Sequence, residues 1–170
     1  MGHHEHEKMA AASLKLGIMT FSDTRSEAED RSGGILKDIM SGGGHKIMHY
    51  RVVREEPELM RSALAGWLAD PELDAVITNG GTGLTARDGT VEIARGFFTK
   101  ELEGFGELFR LISYQQIGAA AMLSRATAGL ACGKMLVCLP GSSKAVKLAA
   151  ERLLLPQLPH MVWETKRQNG

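Results

Sequence analysis

Four short runs of the chain, at 14–21, 45–53, 73–78 and 134–139, carry apolar residues in strand-like stretches, and 73–78 is also rich in β-branched residues. Short apolar runs bounded by glycine, proline and polar residues predict strands of a sheet buried on both faces. The second run alternates in part. His45 and His49, four apart, would suit a metal pair on a helix but not on a strand, and they read as strand and edge residues. Between the runs the apolar spacing becomes helical. Over 34–41, Ile35, Leu36, Ile39 and Met40 share one side, and Gly42-Gly43-Gly44 ends the segment. Over 57–69, Leu59, Met60, Ala63, Leu64, Trp67 and Leu68 form a buried face, with Pro57 suited to the first turn. The order β-α-β-α-β-loop-α implies parallel strands joined by right-handed crossovers.

Downstream, 89–98 predicts a helix. The segment 101–113 predicts another, in which Leu108, Phe109, Leu111 and Ile112 can pack. A short helix is expected within 115–123, then an edge strand or ribbon over 124–130 that turns at Gly133. A last helix runs from Lys144 to about Leu154, with Pro156 and Pro159 ending it. The charged stretch 27–32 predicts a mobile loop.

Three strand ends carry polar turns. The third predicted strand breaks at Gly80-Gly81-Thr82-Gly83, where glycine permits positive φ and close approach to the backbone. Successive N–H groups in such a turn can cup an anion. Thr82, Thr85 and Thr90 add hydroxyls, Arg87 a fork of donors, and Asp88 a carboxylate able to hold a cation. The loop lacks GxxxxGK[ST], and Ala86 stands where GxGxxG would place its third glycine. Ser22 and Asp23 follow the first strand, where Asp23 either touches a ligand or caps local backbone. Pro140-Gly141-Ser142-Ser143 follows the last strand, with Ser142 and Ser143 at a helix N-terminus that suits serine capping and anion binding alike. In a parallel sheet these ends share one edge, the usual place for ligands in open α/β sheets.

The bulk properties narrow the function. At 170 residues, with 20 basic and 20 acidic side chains, the chain suits one domain and shows no basic field for nucleic acid. No apolar run is long enough to span a membrane. The polar N-terminus lacks a secretory apolar core, so a cytoplasmic location is expected by default. His3, His4 and His6 read as part of a floppy tail over 1–13 rather than a metal site. The domain is expected over 14–163, with a C-terminal tail over 164–170. Cys132 and Cys138 are too few for a disulfide framework and read as buried free thiols.

The glycine loop and its downstream partners resemble the MoaB/MogA family of molybdenum cofactor biosynthesis proteins. The matching segments are Gly80-Gly81-Thr82-Gly83 with Arg87-Asp88-Gly89-Thr90, then Glu103-Gly104-Phe105-Gly106-Glu107. Leu123-Ser124-Arg125, Leu139-Pro140-Gly141-Ser142 and Pro156-Gln157-Leu158-Pro159-His160 follow in order. The resemblance covers nearly the whole chain and is closest to the MoaB branch. It implies a Rossmann-like, molybdopterin-binding α/β domain of three α/β/α layers with a mixed, mostly parallel sheet. It implies trimers, or hexamers of two trimers. It also implies molybdopterin as ligand and, for MogA-like and some MoaB-like members, adenylylation of its terminal phosphate with MgATP. On that reading Asp88 and Glu55 are catalytic and hold Mg²⁺. Ser22, Asp23, Gly80, Gly81, Thr82, Gly83, Arg87, Thr90, Gly141 and Ser142 bind substrate and nucleotide. The departures are Val91 for a proline, Asn79 for Thr or Ser, and Glu55 where MogA-like enzymes carry a catalytic Asp. A binding protein without turnover is the alternative.

Overall fold

The computed structural model describes residues 12–167; the histidines at 3, 4 and 6 lie outside them. Six strands, β1 (Lys15–Phe21), β2 (Lys46–Val53), β3 (Ala75–Asn79), β4 (Phe98–Glu101), β5 (Thr127–Ala131) and β6 (Lys134–Leu139), form one sheet in the order β2-β1-β3-β6-β5-β4. β2, β1, β3 and β6 are parallel, whereas β5 and β4 run antiparallel to their neighbours. The helices are α1 (Arg31–Gly42), α2 (Pro57–Leu68), α3 (Thr90–Phe97), α4 (Glu103–Ile117), α5 (Ser143–Ala149) and α6 (Leu155–Arg167). Among the described residues no helix is long and apolar enough to cross a membrane.

Strand alternation divides the core into two layers. Leu16, Ile18, Ala75, Ile77 and Val137 face a cluster built with Leu36 and Met40 of α1, Phe105 and Phe109 of α4, and Leu158 and Val162 of α6. Met19, Phe21, Val76, Leu136 and Cys138 face the other side, against Met60, Leu64 and Leu68 of α2 and Ile93 and Ala94 of α3. The result is a three-layer α/β/α domain with a mixed, mostly parallel sheet. Burial pushes the Cys138 thiol up to about 12, so it stays protonated and packs as a small apolar side chain.

Several expectations are corrected. Residues 27–32 are not wholly a mobile loop: Asp30 is buried and caps α1 by accepting from Gly33 N, and Ser32 is buried with it. The stretch 124–130 is not an edge. β4 covers it, a short strand (FTKE) too polar to announce itself, formed where α3 ends and Phe98 turns extended. α4 runs unbroken to Ile117, and a 3₁₀ turn (Gly118–Leu123) follows at Gly118, whose φ is +65°. Cys132 is exposed; with φ +50° beside Gly133 at +74° it forms the tight turn between β5 and β6. His45 is buried, its Nδ1 accepting from Leu14 N at 3.2 Å, and His49 meets Asp70 at 2.8 Å.

Pro156 and Pro159 do not end the last helix. One wide π-helical turn (Ala150–Leu154) follows α5, and α6 continues through both prolines to Arg167. Pro159 lies inside the helix and is buried against the sheet with its neighbour Leu158.

Candidate functional site

The chain reverses its direction of travel across the sheet between β1 and β3: from β1 it passes outward to β2, and from β3 it crosses to the opposite edge at β4 and returns through β5 to β6. That switch point opens a crevice at the strands' carboxyl ends. Because β6 is parallel to β3, its terminal loop arrives there too. The three polar turns foreseen in the sequence therefore meet.

They meet with no room for side chains. Gly80 has φ +94°, and a Cβ built there would lie 2.3 Å from the Phe21 carbonyl oxygen. Gly81 has φ +68°, and its Cβ would lie 2.3 Å from Thr90 Oγ1. At Gly141 a Cβ would fall 3.2 Å from Gly80 Cα. Thr90 straps the turn from behind: its hydroxyl donates to Gly80 O at 2.8 Å and its N–H to Gly81 O at 3.1 Å. Thr90 and Thr82 are both buried.

Ser22, also buried, accepts from the N–H groups of Thr24 and Arg25, so its hydroxyl folds the β1 turn. Asp23 joins three elements, accepting from Glu55 N at 3.0 Å and from Arg87 Nη2 at 2.7 Å and Nε at 3.1 Å. The Arg87 guanidinium holds the Asp23 carboxyl below the usual range. Arg87 also reaches Glu56 at 3.3 Å. Ser142 caps α5, accepting from Ala145 N at 3.1 Å.

Asp88 accepts at Oδ2 from Thr85 N (2.8 Å) and Thr85 Oγ1 (2.6 Å), and these bonds lower its pKa. It does not cap α3, whose N-cap is Gly89 without a side-chain bond. Glu55 is shifted the opposite way: burial raises its pKa first, and the charges of Asp23 and Asp88 raise it further. Crowded carboxylates of this kind are relieved by a cation. Among the described residues no group of three or more acidic, His or Cys side chains forms a metal site by itself. Glu55 and Asp88 thus fit an ion that arrives with a polyphosphate, as Mg²⁺ does when held by one or two carboxylates. Beside them a cleft of about 450 Å³ is lined by Ser22, Asp23, Thr24, Arg25 and Arg54, among others.

Beneath the site lies a buried polar cluster that the sequence reading missed. The Asp30 side chain is 0 % exposed. It accepts from Thr20 Oγ1 and Tyr50 Oη, both at 2.5 Å, from Ser32 Oγ at 3.1 Å and from Gly33 N at 3.0 Å. Asn79, the residue before Gly80, completes the ring, donating to Thr20 Oγ1 and accepting from Ser32 Oγ, both at 2.8 Å. This bonding gives Asn79 a role that its departure from Thr or Ser left open. Arg25 leans over the cluster to Ser32 Oγ (3.1 Å) and Gly141 O (3.4 Å). The available signal was Asp30 three residues before Gly33, a helix-start pattern.

Burial pushes the Asp30 pKa up, but the bonds from Thr20, Tyr50, Gly33 and Ser32 outweigh it and hold the group below its ordinary range. A depressed carboxyl stabilises the fold fully above the unfolded value of about 4 and loses that contribution as pH falls through the folded pKa. Wild-type stability is therefore expected to fall in the acid range below about pH 4, with a weaker dependence in Asp30→Asn. Asp30→Ala, which strands several donors, is expected to lose about 3 kcal/mol. Urea unfolding across a pH series checks both.

Comparison with known proteins agrees with this architecture. Residues 17–160 match the family model described as "Probable molybdopterin binding domain". The chain is 44% identical over 165 residues to "Molybdenum cofactor biosynthesis protein B" of Bacillus cereus, covering 96% of this chain and 98% of that one. It is 44% identical over 169 residues to the protein of the same name from Bacillus subtilis, covering 98% and 99%. Among solved structures, a "Molybdenum cofactor biosynthesis protein B" superposes with a TM-score of 0.89 at 43% identity, over 92% of this chain and 98% of that one. The "tungsten cofactor synthesizing protein MoaB from Pyrococcus furiosus" does so with a TM-score of 0.82 at 34% identity, over 91% and 98%. With the glycine turns, the crossing at β1 and β3 and the near full-length matches all in agreement, the chain belongs to the molybdenum cofactor biosynthesis protein family that carries this domain.

Proposed function

We propose that this protein binds molybdopterin and adenylylates its terminal phosphate with MgATP. The observation that carries the reading is the pairing, at one crevice, of a side-chain-free glycine turn with the carboxylates of Glu55 and Asp88. Glycine backbone can approach phosphate oxygens closely. In the reaction an oxygen of the pterin phosphate attacks the α-phosphorus of ATP; a phosphoanhydride forms and pyrophosphate leaves. Such a transfer needs positioning and charge stabilisation more than covalent help from the protein. Gly80, Gly81 and Gly141 supply backbone against which phosphates can lie, and Arg87, held at the site by Asp23, supplies positive charge. Glu55 and Asp88 would hold Mg²⁺, which neutralises and orients the phosphoryl groups.

A second reading, pterin binding without turnover, draws on Glu55. Its extra methylene places the carboxylate about 1 Å from where an aspartate would hold it, a displacement that can matter in catalysis. Incubating the purified protein with molybdopterin, ATP and Mg²⁺ separates the two. Adenylylated pterin and pyrophosphate support the enzyme. Binding without product leaves the carrier, and absence of pterin binding removes both.

The same reading includes a homo-oligomer, a trimer or a hexamer. Support comes from α4 and the 3₁₀ turn after it, where Leu108, Leu111, Tyr114, Ile117, Met122 and Leu123 are each more than half exposed. In 117–123, which sequence left open between core and contact, only Ala121 is buried. A contiguous apolar face of this kind marks an interaction surface. Light scattering at micromolar concentration is expected to give the mass of three or six protomers, and a monomeric mass would refute the assignment.

A further inference from the structure

Arg125 belongs to none of the three strand-end turns. It lies between the 3₁₀ turn and β5, yet its guanidinium grips the glycine loop at three backbone carbonyls. Nε donates to Thr82 O at 3.3 Å and to Gly83 O at 3.0 Å, and Nη2 donates to Asp88 O at 3.2 Å. Glu92 of α3 holds the outer edge of the same guanidinium through both carboxylate oxygens. The Arg125 side chain is only 27% exposed.

The bonding fixes more than the position of the loop. Across a trans peptide, a carbonyl and the next residue's N–H point in opposite directions. Turning the carbonyls of Thr82, Gly83 and Asp88 toward Arg125 therefore turns the N–H groups of Gly83, Leu84 and Gly89 away from it. Gly83 itself lies against the Asp88 carboxylate, where a Cβ would fall 2.8 Å from Oδ2. Arg125 thus acts on both the polarity of the loop and the setting of its acid.

We propose that Arg125 is a positioning residue that holds the 82–88 loop with its N–H groups and the Asp88 carboxylate presented to a polyphosphate. The identity of that anion as the triphosphate of ATP rests on the function proposed above; the grip on the loop does not. Lysine cannot replace Arg125, because a single ammonium has no planar fork with which to span acceptors on both sides of the loop.

The test compares wild type with Arg125→Lys and Arg125→Gln by amide hydrogen exchange, MgATP affinity and steady-state kinetics. In both variants exchange at Thr85 and Asp88, whose N–H groups bond within the loop, is expected to accelerate at least tenfold while exchange in β1, β3 and β6 is unchanged. MgATP affinity and kcat should each fall at least tenfold, with KM for the pterin within twofold. Loop exchange at the wild-type rate overturns the proposal, as does a lysine variant with wild-type affinity and turnover. Should a variant fail to fold, Glu92→Gln removes only the outer clamp and should show a smaller acceleration in the same segment; no acceleration there overturns the proposal. If wild type itself forms no adenylylated product, the proposed reaction fails, and loop exchange still decides the role of Arg125.

Discussion

Gly80→Ala is expected to cost about 4 kcal/mol or more of folding stability, a large share of the 5–15 kcal/mol typical of a domain. Two penalties add. At φ +94° an L-residue is strained, by about 1–2 kcal/mol. The new methyl would also lie 2.3 Å from the Phe21 carbonyl oxygen, and backbone there cannot swing aside as a flexible side chain could. Relief requires β1 and β3 to separate at their ends, loosening the bond from Gly80 N to Leu139 O as well. Gly34→Ala, at a helical glycine where a Cβ would meet nothing within 4 Å, is the control and should be neutral or slightly stabilising. Urea denaturation of the two variants measures the contrast. A Gly80→Ala protein as stable as wild type would show that the turn can be built another way.

Asp88→Asn is expected to lower adenylyl-transfer turnover at least tenfold, about 1.4 kcal/mol of transition-state stabilisation, with the fold intact. The geometry makes the substitution a clean one. Thr85 N and Thr85 Oγ1 both donate to a single oxygen, Oδ2. An amide oxygen accepts both bonds equally well, so the change removes the charge and keeps the two bonds from Thr85. Pterin binding through the glycine turns should persist. Kinetics with ATP and Mg²⁺, beside a thermal unfolding curve, separate the two effects. Wild-type turnover in a folded Asp88→Asn protein would return this residue to a structural role.

The parallel strands were legible because each is a short apolar run ended by glycine, proline or polar residues, and the two-sided core follows from strand alternation. The glycine turn was legible for a related reason: Gly80, Gly81 and Gly83 stand together where a strand must stop. What escaped depends on contacts distant in sequence. β4 is four residues of mixed character that become a strand only because β5 lies alongside. Asp30 and Ser32 resemble any charged loop until Thr20, Tyr50 and Asn79 surround them. Thr90 was read as a hydroxyl of the glycine loop and Ser22 as a ligand group through the family resemblance; what the sequence did not show is that both also bond to the turns themselves. Arg125 stood out only within a family-matching segment and without a role, since its partners lie 37 to 43 positions away.

The wide turn before α6 sets the angular phase of everything that follows it. The inward side chains Val146, Ala150, Leu154, Leu158 and Val162 recur every four residues, and all are buried. An uninterrupted α-helix advances about 100° per residue, so a four-residue repeat drifts about 40° per step and about 160° over the four steps. Such a helix would begin facing the sheet and end facing water. The one extra residue in the π-turn takes back about 100° and keeps the stripe within about 60° of its starting direction. The width of the turn is therefore what holds the phase: the same residues wound as an unbroken α-helix would carry Leu158 and Val162 off the sheet. A substitution at exposed Glu151 or Arg152 leaves the phase untouched, and loss of one residue here would close the turn to an ordinary α-turn with Leu158 and Val162 still on the sheet.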